Sequence, residues 1–431
     1  MRFREPQKKT AKNETQPINP PPLPSTIERE GWVTQVREYE LITPLFGGGV
    51  EAGVVDTEAP ISGKGIRGQL RFWWRATRGG YFKGSLQRMR KIEERVWGTA
   101  SLSDRKIPPP VQLSVELLDA GRDFEVQRYD KRQRRHIAAP VHDLNTPYGY
   151  VAFPLREVGE QAAVRAGIRF RLHLAYPENV ERDVNAALWA WERFGGVGAR
   201  TRRGFGAIHC VAENGEQKTP PSCDFESLRD YLGAGFAKYV RRKEWPENVP
   251  HLSQRIVVAN VRSDPLAAWE HLIQTLRDFR QWREERYGVT SWPEPNAIRE
   301  REGKAPLDGA PKMDKFPRAA FGLPILFEFP QERALPKVTL TGNSVVRLAS
   351  PVVLRPLRCG NGKGVGIALI LETERGKERN LVPGGLKLDG ANSRPPIEHG
   401  LDEEDSAQIN PLQRNETDVL EAFMNYLSEN P

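Results

Sequence analysis

The sequence predicts an α+β protein in which helices cover one face of an antiparallel sheet, laid out on a βαββαβ plan with insertions. Three observations lead there. Strand-like apolar runs and amphipathic helical patterns alternate along the first half. The 431 residues are 38% hydrophobic with ten tryptophans, enough for real cores and for two domains. After a polar break at 213–221 a strand followed by a long helix recurs, as in a diverged second copy.

Taken in order, residues 1–30 are rich in Pro, Lys, Gln and Asn and are expected to be a disordered tail. Val33 to Ile42 reads as a strand ending at Thr43-Pro44. The glycine-rich stretch Gly47 to Gly53 then leads through Pro60 to a helix starting near Ser62. A second helix, Leu86 to Trp97, sets Leu86, Met89, Ile92 and Val96 on one face and stops at Gly98. Strands at 111–118 and 168–175, a helix at 180–191 and a strand at 207–211 complete a first domain, 31–212. A second domain, 222–431, is expected to hold helices at 225–239, 266–286 and 419–427, with strands at 255–261, 325–329, 352–354 and 367–371. Residues 292–316 and 383–415 are polar or glycine-rich and read as loops.

Composition narrows the function. No apolar stretch approaches the ~20 residues of a membrane span. No apolar h-region marks a secretory signal. Cys210, Cys223 and Cys359 are far apart, with no C-x-x-C, which argues against a disulfide framework or a cysteine zinc site and for a cytoplasmic protein. A net charge of +8 favours acidic partners, RNA or DNA. The densest cluster, Arg128 to His136, is either a nucleic-acid contact or a solvated loop.

Two motifs stand out. In Gly195-Gly196-Val197-Gly198-Ala199-Arg200-Thr201-Arg202-Arg203-Gly204-Phe205-Gly206, glycines free the backbone to approach a ligand and three guanidiniums suit phosphate. It is neither a dinucleotide fingerprint, which would need glycine at Thr201 and a following helix, nor a P-loop. The alternative is a long connection with incidental arginines. The second motif follows Lys64: at ~100° per residue Arg67, Arg71, Arg75 and Arg78 share a sector of about 80°. Their span of about 16 Å matches two or three phosphates of one strand. Ile66, Leu70, Trp73 and Thr77 form the adjoining apolar stripe. Trp74, on the border, is either a core residue or a stacking surface for a base. Four like charges on one stripe repel unless something acidic neutralises them, whether RNA or protein carboxylates.

At these residues the chain resembles a known family. Ile42-Thr43-Pro44-Leu45-Phe46-Gly47-Gly48-Gly49, Pro60-Ile61 and Ile66 to Arg75 are similar to the first subunit of type III-B CRISPR (Cmr) effector complexes. So are Phe316 to Pro324 and Arg347 to Pro351, and Gly195 to Gly206 resembles the glycine-rich loop of the wider RAMP superfamily. The resemblance is dense over 33–98 and 187–209 and thinner over 316–357. It implies two ferredoxin-like (βαββαβ, RRM-like) RAMP domains in a multi-subunit, RNA-guided antiviral complex. The partners it implies are the 3′ part of the guide RNA (crRNA), target RNA and neighbouring RAMP subunits. The RNA-facing residues it implies are Lys64, Arg67, Arg71, Trp74, Arg75 and Arg78 with Gly195, Gly196, Gly198, Arg200, Arg202, Arg203, Gly204 and Phe205.

The family implies no established catalytic role, no cofactor and no metal. Histidines lie outside both arginine motifs; His209 reads as a core residue and His136 and His142 flank the basic cluster. The competing site is Asp56, which with Glu51 and Glu58 could hold magnesium, as backbone RAMP subunits place a cleaving aspartate in a comparable loop. The plainer reading is a carboxylate ordering its own turn. Three functions compete: an RNA-binding scaffold, a metal-dependent endonuclease using Asp56, and a protein–protein adaptor.

Overall fold

A computed structural model describes residues 29–49, 53–99, 109–158, 164–241, 244–283, 290–329, 332, 334–373, 382, 384–391, 397–412 and 415–431. Most of the expected tail, residues 1–28, and Glu51 lie outside them. The first half runs β1 (Trp32–Leu41), α1 (Gly63–Arg78), α2 (Leu86–Trp97), β2 (Gln112–Asp119), β3 (Arg169–Pro177), α3 (Glu181–Phe194) and β4 (Ile208–Glu213). The Ser62 hydroxyl accepts from the Gly65 amide at the head of α1, and Ser85 does the same for Arg88 in α2. All pairings are antiparallel in the order β4-β1-β3-β2, with the short strand Glu216–Gln217 outside β4. On β3 the period of two buries Phe170, Leu172 and Leu174 against α1 and α3 and leaves Arg169, Arg171 and His173 on the open face. That open face carries Glu38–Arg169 and Glu116–Arg171 ion pairs across strands.

The second half continues with α4 (Phe225–Tyr239), β5 (His251–Arg262), α5 (Pro265–Arg280), β6 (Val352–Arg358), β7 (Gly364–Glu372) and α6 (Val419–Glu429). Its sheet is antiparallel in the order β5-β7-β6, the places that β1, β3 and β2 hold in the first sheet. Among the described residues nothing takes the fourth place. Strand β7 is buried on both sides: Val365, Ile367, Leu369 and Leu371 join the core of the first half, while Ala368 and Ile370 join α5 and α6. The two halves therefore share one core, and α4 packs on α3 within it.

Three expectations are corrected. Residues 292–316 contain a helix, Glu294–Arg301, because buried Asn296 donates to the carbonyls of Leu307, Ala310 and Pro311 and makes a polar segment part of the interior. Leu386–Asp389, inside the expected loop 383–415, pairs with Val338–Gly342, which pairs with Ile325–Phe327. Cys223 and Cys359 are joined as a disulfide, Cα atoms 5.3 Å apart: the loop before α4 lies against the end of β6 despite a separation of 136 residues. No helix of the described residues is long and apolar enough to cross a membrane.

Candidate nucleic-acid interface

The arginine stripe forms on α1 as its spacing dictates, but the protein supplies the neutralising acids. Arg71 Nε and Arg75 Nη1 both donate to Glu93 Oε1 of α2, at 2.8 and 2.6 Å. Arg78 Nε donates to Asp183 Oδ1 of α3 at 2.9 Å and its guanidinium lies 4.0 Å from the Tyr81 ring centroid. Arg67 donates to the Val111 carbonyl, and only exposed Lys64 has no partner among the described residues. Trp74 is corrected to a core residue. It is 0% exposed and its Nε1 donates to Asp183, so its ring has no free face for a base.

The glycine loop is likewise turned inward over most of its length. Amides of Val197, Ala199, Gly204 and Gly206 donate to the carbonyls of Gly206, Phe46, Thr201 and Pro44, so they are not offered to an anion. Gly195 is needed because a Cβ would lie 2.4 Å from Trp73 Nε1, and Gly204, at φ +84°, because one would lie 2.4 Å from the Trp269 ring. Gly195, Gly196, Gly204 and Phe205 are buried, and Gly198 is exposed. Thr43 binds the loop to the strand before it, donating to the Gly204 carbonyl at 2.6 Å and accepting from the Ala207 amide.

Arg202 and Arg203 cross to the second half. Arg202 donates to the Ser350 carbonyl, Arg203 to those of Val352 and Phe321, and the Leu354 amide donates to the Arg202 carbonyl. Burial pushes Arg202 down to about 10 and Arg203 to about 9, the latter with help from neighbouring Arg280 and Arg200. From the other side fully buried Arg355 donates to the carbonyls of Gly195 and Ile208, both at 2.7 Å. The seam is thus tied by charged donors on backbone acceptors, a geometry worth about 1.5–3 kcal/mol per bond.

Free positive charge lies elsewhere. Between β2 and β3 the chain forms a hairpin, Val126–Asp130 paired with Arg135–Ala139. Asp130 closes its turn by accepting from the amides of Arg132 and Gln133. Lys131, Arg132, Arg134 and Arg135 are exposed there, with no carboxylate partner among the described residues. Beside them Tyr129, 52% exposed, meets His136 edge-on at 5.4 Å. The hairpin base is anchored: Val126 shares a small core with Val141, Tyr148, Phe205 of the glycine loop and Trp269 of α5. The local sequence signal for this hairpin is its Asp-led polar turn.

Asp56 orders its own turn. Its Oδ1 accepts from the amides of Glu58 and Ala59, at 3.0 and 2.9 Å, which holds the carboxyl below its usual range. No group of three potential metal-ligating side chains occurs among the described residues. His209 is half-buried on β4, and burial with nearby Arg355 pushes it down to about 4.

Residues 38–209 match the profile of the RAMP superfamily. The CRISPR system Cmr subunit Cmr1-1 of Pyrococcus furiosus is 29% identical over 169 residues, 38% of this chain and 44% of that protein. Cmr subunit Cmr1-2 of the same organism is 26% identical over 192 residues, 40% of this chain and 91% of that protein. The chain thus spans less than half of the first relative and nearly all of the second. Among solved structures, the apo form of Cmr1 from P. furiosus aligns at a TM-score of 0.46 with 19% identity, covering 91% of this chain and 96% of that one. A subunit of the type III-B Cmr-beta complex bound to cognate target RNA aligns at 0.46 with 12% identity, covering 92% and 100%. Those two alignments are too loose to carry an argument. Residues 38–209 thus match the RAMP superfamily, and the chain resembles the Cmr subunits Cmr1-1 and Cmr1-2 of CRISPR systems.

Proposed function

We propose that this chain is a non-catalytic, RNA-binding subunit of a type III-B (Cmr) RNA-guided complex. Both halves are read as ferredoxin-like domains, the first from its order β4-β1-β3-β2 and the second from the matching β5-β7-β6. The ligand is single-stranded RNA, guide or target, held beside other RAMP subunits. The observation that carries the reading is the exposed hairpin with Lys131, Arg132, Arg134 and Arg135 without a carboxylate partner among the described residues, beside an exposed tyrosine, in the segment that matches the RAMP superfamily. Cations plus an aromatic face are what single-strand binders use. The open face of the first sheet is not the RNA platform in this reading, because Glu38, Arg169, Arg171 and Glu116 fill it with paired charge where an RRM would present aromatics. Of the expected contacts, Lys64 and Gly198 are the ones that stay exposed.

The test is a titration of the full chain against end-labelled single-stranded RNA with Mg²⁺, across a salt series, scored for retention and strand integrity. RNA bound, intact and released steeply by salt is the expected result, with a log–log slope of about −0.7 per phosphate contacted. RNA cut by the protein, with cutting lost in Asp56→Ala, would make it an endonuclease. No affinity for RNA together with salt-sensitive binding to acidic protein subunits would make it an adaptor.

A further inference from the structure

One group of charges is left unexplained by the seam. Arg200 of the glycine loop and Arg280, the last residue of α5, approach Arg203 closely enough to act on it electrostatically. None of the three has a carboxylate partner among the described residues. Arg203 is satisfied by the carbonyls of Val352 and Phe321. Arg200 and Arg280 are not: the Nε of each is buried without a hydrogen-bond acceptor among the described residues. Like charges gathered without an acid repel, and a buried donor left unmade costs about 1–3 kcal/mol. A fold that keeps such a group has a reason outside its own side chains.

The surroundings say what is missing. Arg280 Nη1 donates to the Tyr150 hydroxyl at 2.8 Å, which leaves the tyrosine's own proton without an acceptor among the described residues. The Arg200 guanidinium lies 5.3 Å from the centroid of Phe153, a ring that is 46% exposed. Tyr150 and Phe153 follow the basic hairpin in sequence, and the hairpin, the glycine loop and α5 meet in one small core. Two cations, a spare hydroxyl proton and an exposed aromatic edge converge from both halves of the molecule. That combination fits a tetrahedral oxyanion with a planar group attached.

We propose that Arg200, Arg280 and Tyr150, backed by Arg203, form a seat for a phosphate group, with Phe153 as the adjoining stacking face. The seat takes a backbone phosphate of bound single-stranded RNA, and in this it rests on the RNA-binding reading above. Free phosphate offers the same chemistry, so the two sources are separated by experiment. A phosphate here bridges the halves and stabilises the seam.

The test uses the full chain, its Arg280→Gln, Tyr150→Phe and Phe153→Ala variants, and Arg90→Gln as a control at an exposed helix arginine. Thermal unfolding is followed as inorganic phosphate replaces chloride at constant ionic strength, and single-stranded RNA affinity is read by anisotropy. Phosphate should raise the melting temperature of the parent and the control but not of R280Q. Affinity for RNA should fall about tenfold in R280Q and about threefold in Y150F and in Phe153→Ala. Should R280Q fold poorly, Y150F decides. Equal stabilisation of all proteins by phosphate, with equal RNA affinity, would overturn the seat while leaving RNA binding intact. Phosphate stabilisation lost in R280Q and Y150F, in a parent that binds no RNA, would keep the seat for a free anion and remove the RNA reading instead.

Discussion

Helix α1 and the region where the hairpin, glycine loop and α5 meet are both rich in arginine, and they use it in opposite ways. On α1, Arg71 and Arg75 share Glu93, and Arg78 takes Asp183. In the other region Lys131, Arg132, Arg134 and Arg135 are exposed, and neither they nor Arg200 and Arg280 have a carboxylate partner among the described residues. A stripe of arginines on one helix face is therefore not by itself charge available to a ligand. What locates it is the shortage of acid within reach in three dimensions. Paired arginines of the first kind set helix positions; unpaired ones of the second kind carry attraction for a polyanion.

The contrast can be broken at either end. Replacing Lys131, Arg132, Arg134 and Arg135 together by Gln should weaken single-stranded RNA binding about a hundredfold at low salt, about 2.7 kcal/mol, and flatten the salt slope by roughly three. The melting temperature should not move, since none of the four is buried. A titration series at four salt concentrations checks both.

The seam gives the next largest effect, through pH. His209 is held neutral, at about 4 against an ordinary ~6.5, so between those values the unfolded chain binds the extra proton. Stability is therefore complete above about pH 7 and falls as pH drops, by about 2 kcal/mol at pH 5. Denaturant unfolding at pH 7 and 5 should show a larger loss in the parent than in His209→Asn, where only the other burial-lowered histidines, His142 and His271, still contribute. Glu93→Gln attacks the paired set directly. It strips Arg71 and Arg75 of a shared carboxylate that is 7% exposed, and should lower stability by about 2 kcal/mol, discounted for the exposure of the arginines. RNA affinity should be unchanged or slightly raised. The smallest effect belongs to Asp56→Ala, a slight loss of stability from the lost turn contacts, with RNA left as intact as before.

Much of the fold was legible from periodicity. Leu86 to Trp97 and its stop at Gly98 follow from apolar spacing and one glycine, and Phe225–Tyr239 from the same logic behind Asp224. Helix Glu294–Arg301 was not legible, because what holds it is Asn296 and Glu294 bonding to chain distant in sequence. The site divides the same way. The angular plot put four arginines on one stripe correctly, yet Glu93 and Asp183 belong to other helices and no spacing on α1 reveals them. Glycines in the loop read as room for a ligand, and at Gly195 and Gly204 the room is taken by Trp73 and Trp269. Arg280 carries no local signal at all; only the packing of α5 against the glycine loop brings it beside Arg200 and Arg203.

The most direct measurement compares two charge-removal proteins in one RNA titration and one melting experiment. The first carries Lys131, Arg132, Arg134 and Arg135 as Gln, the second Arg71 and Arg75 as Gln. The account predicts that the first loses RNA affinity and keeps its melting temperature, while the second keeps affinity and melts earlier. The reverse pattern, with RNA binding lost only when the α1 arginines go, would contradict it.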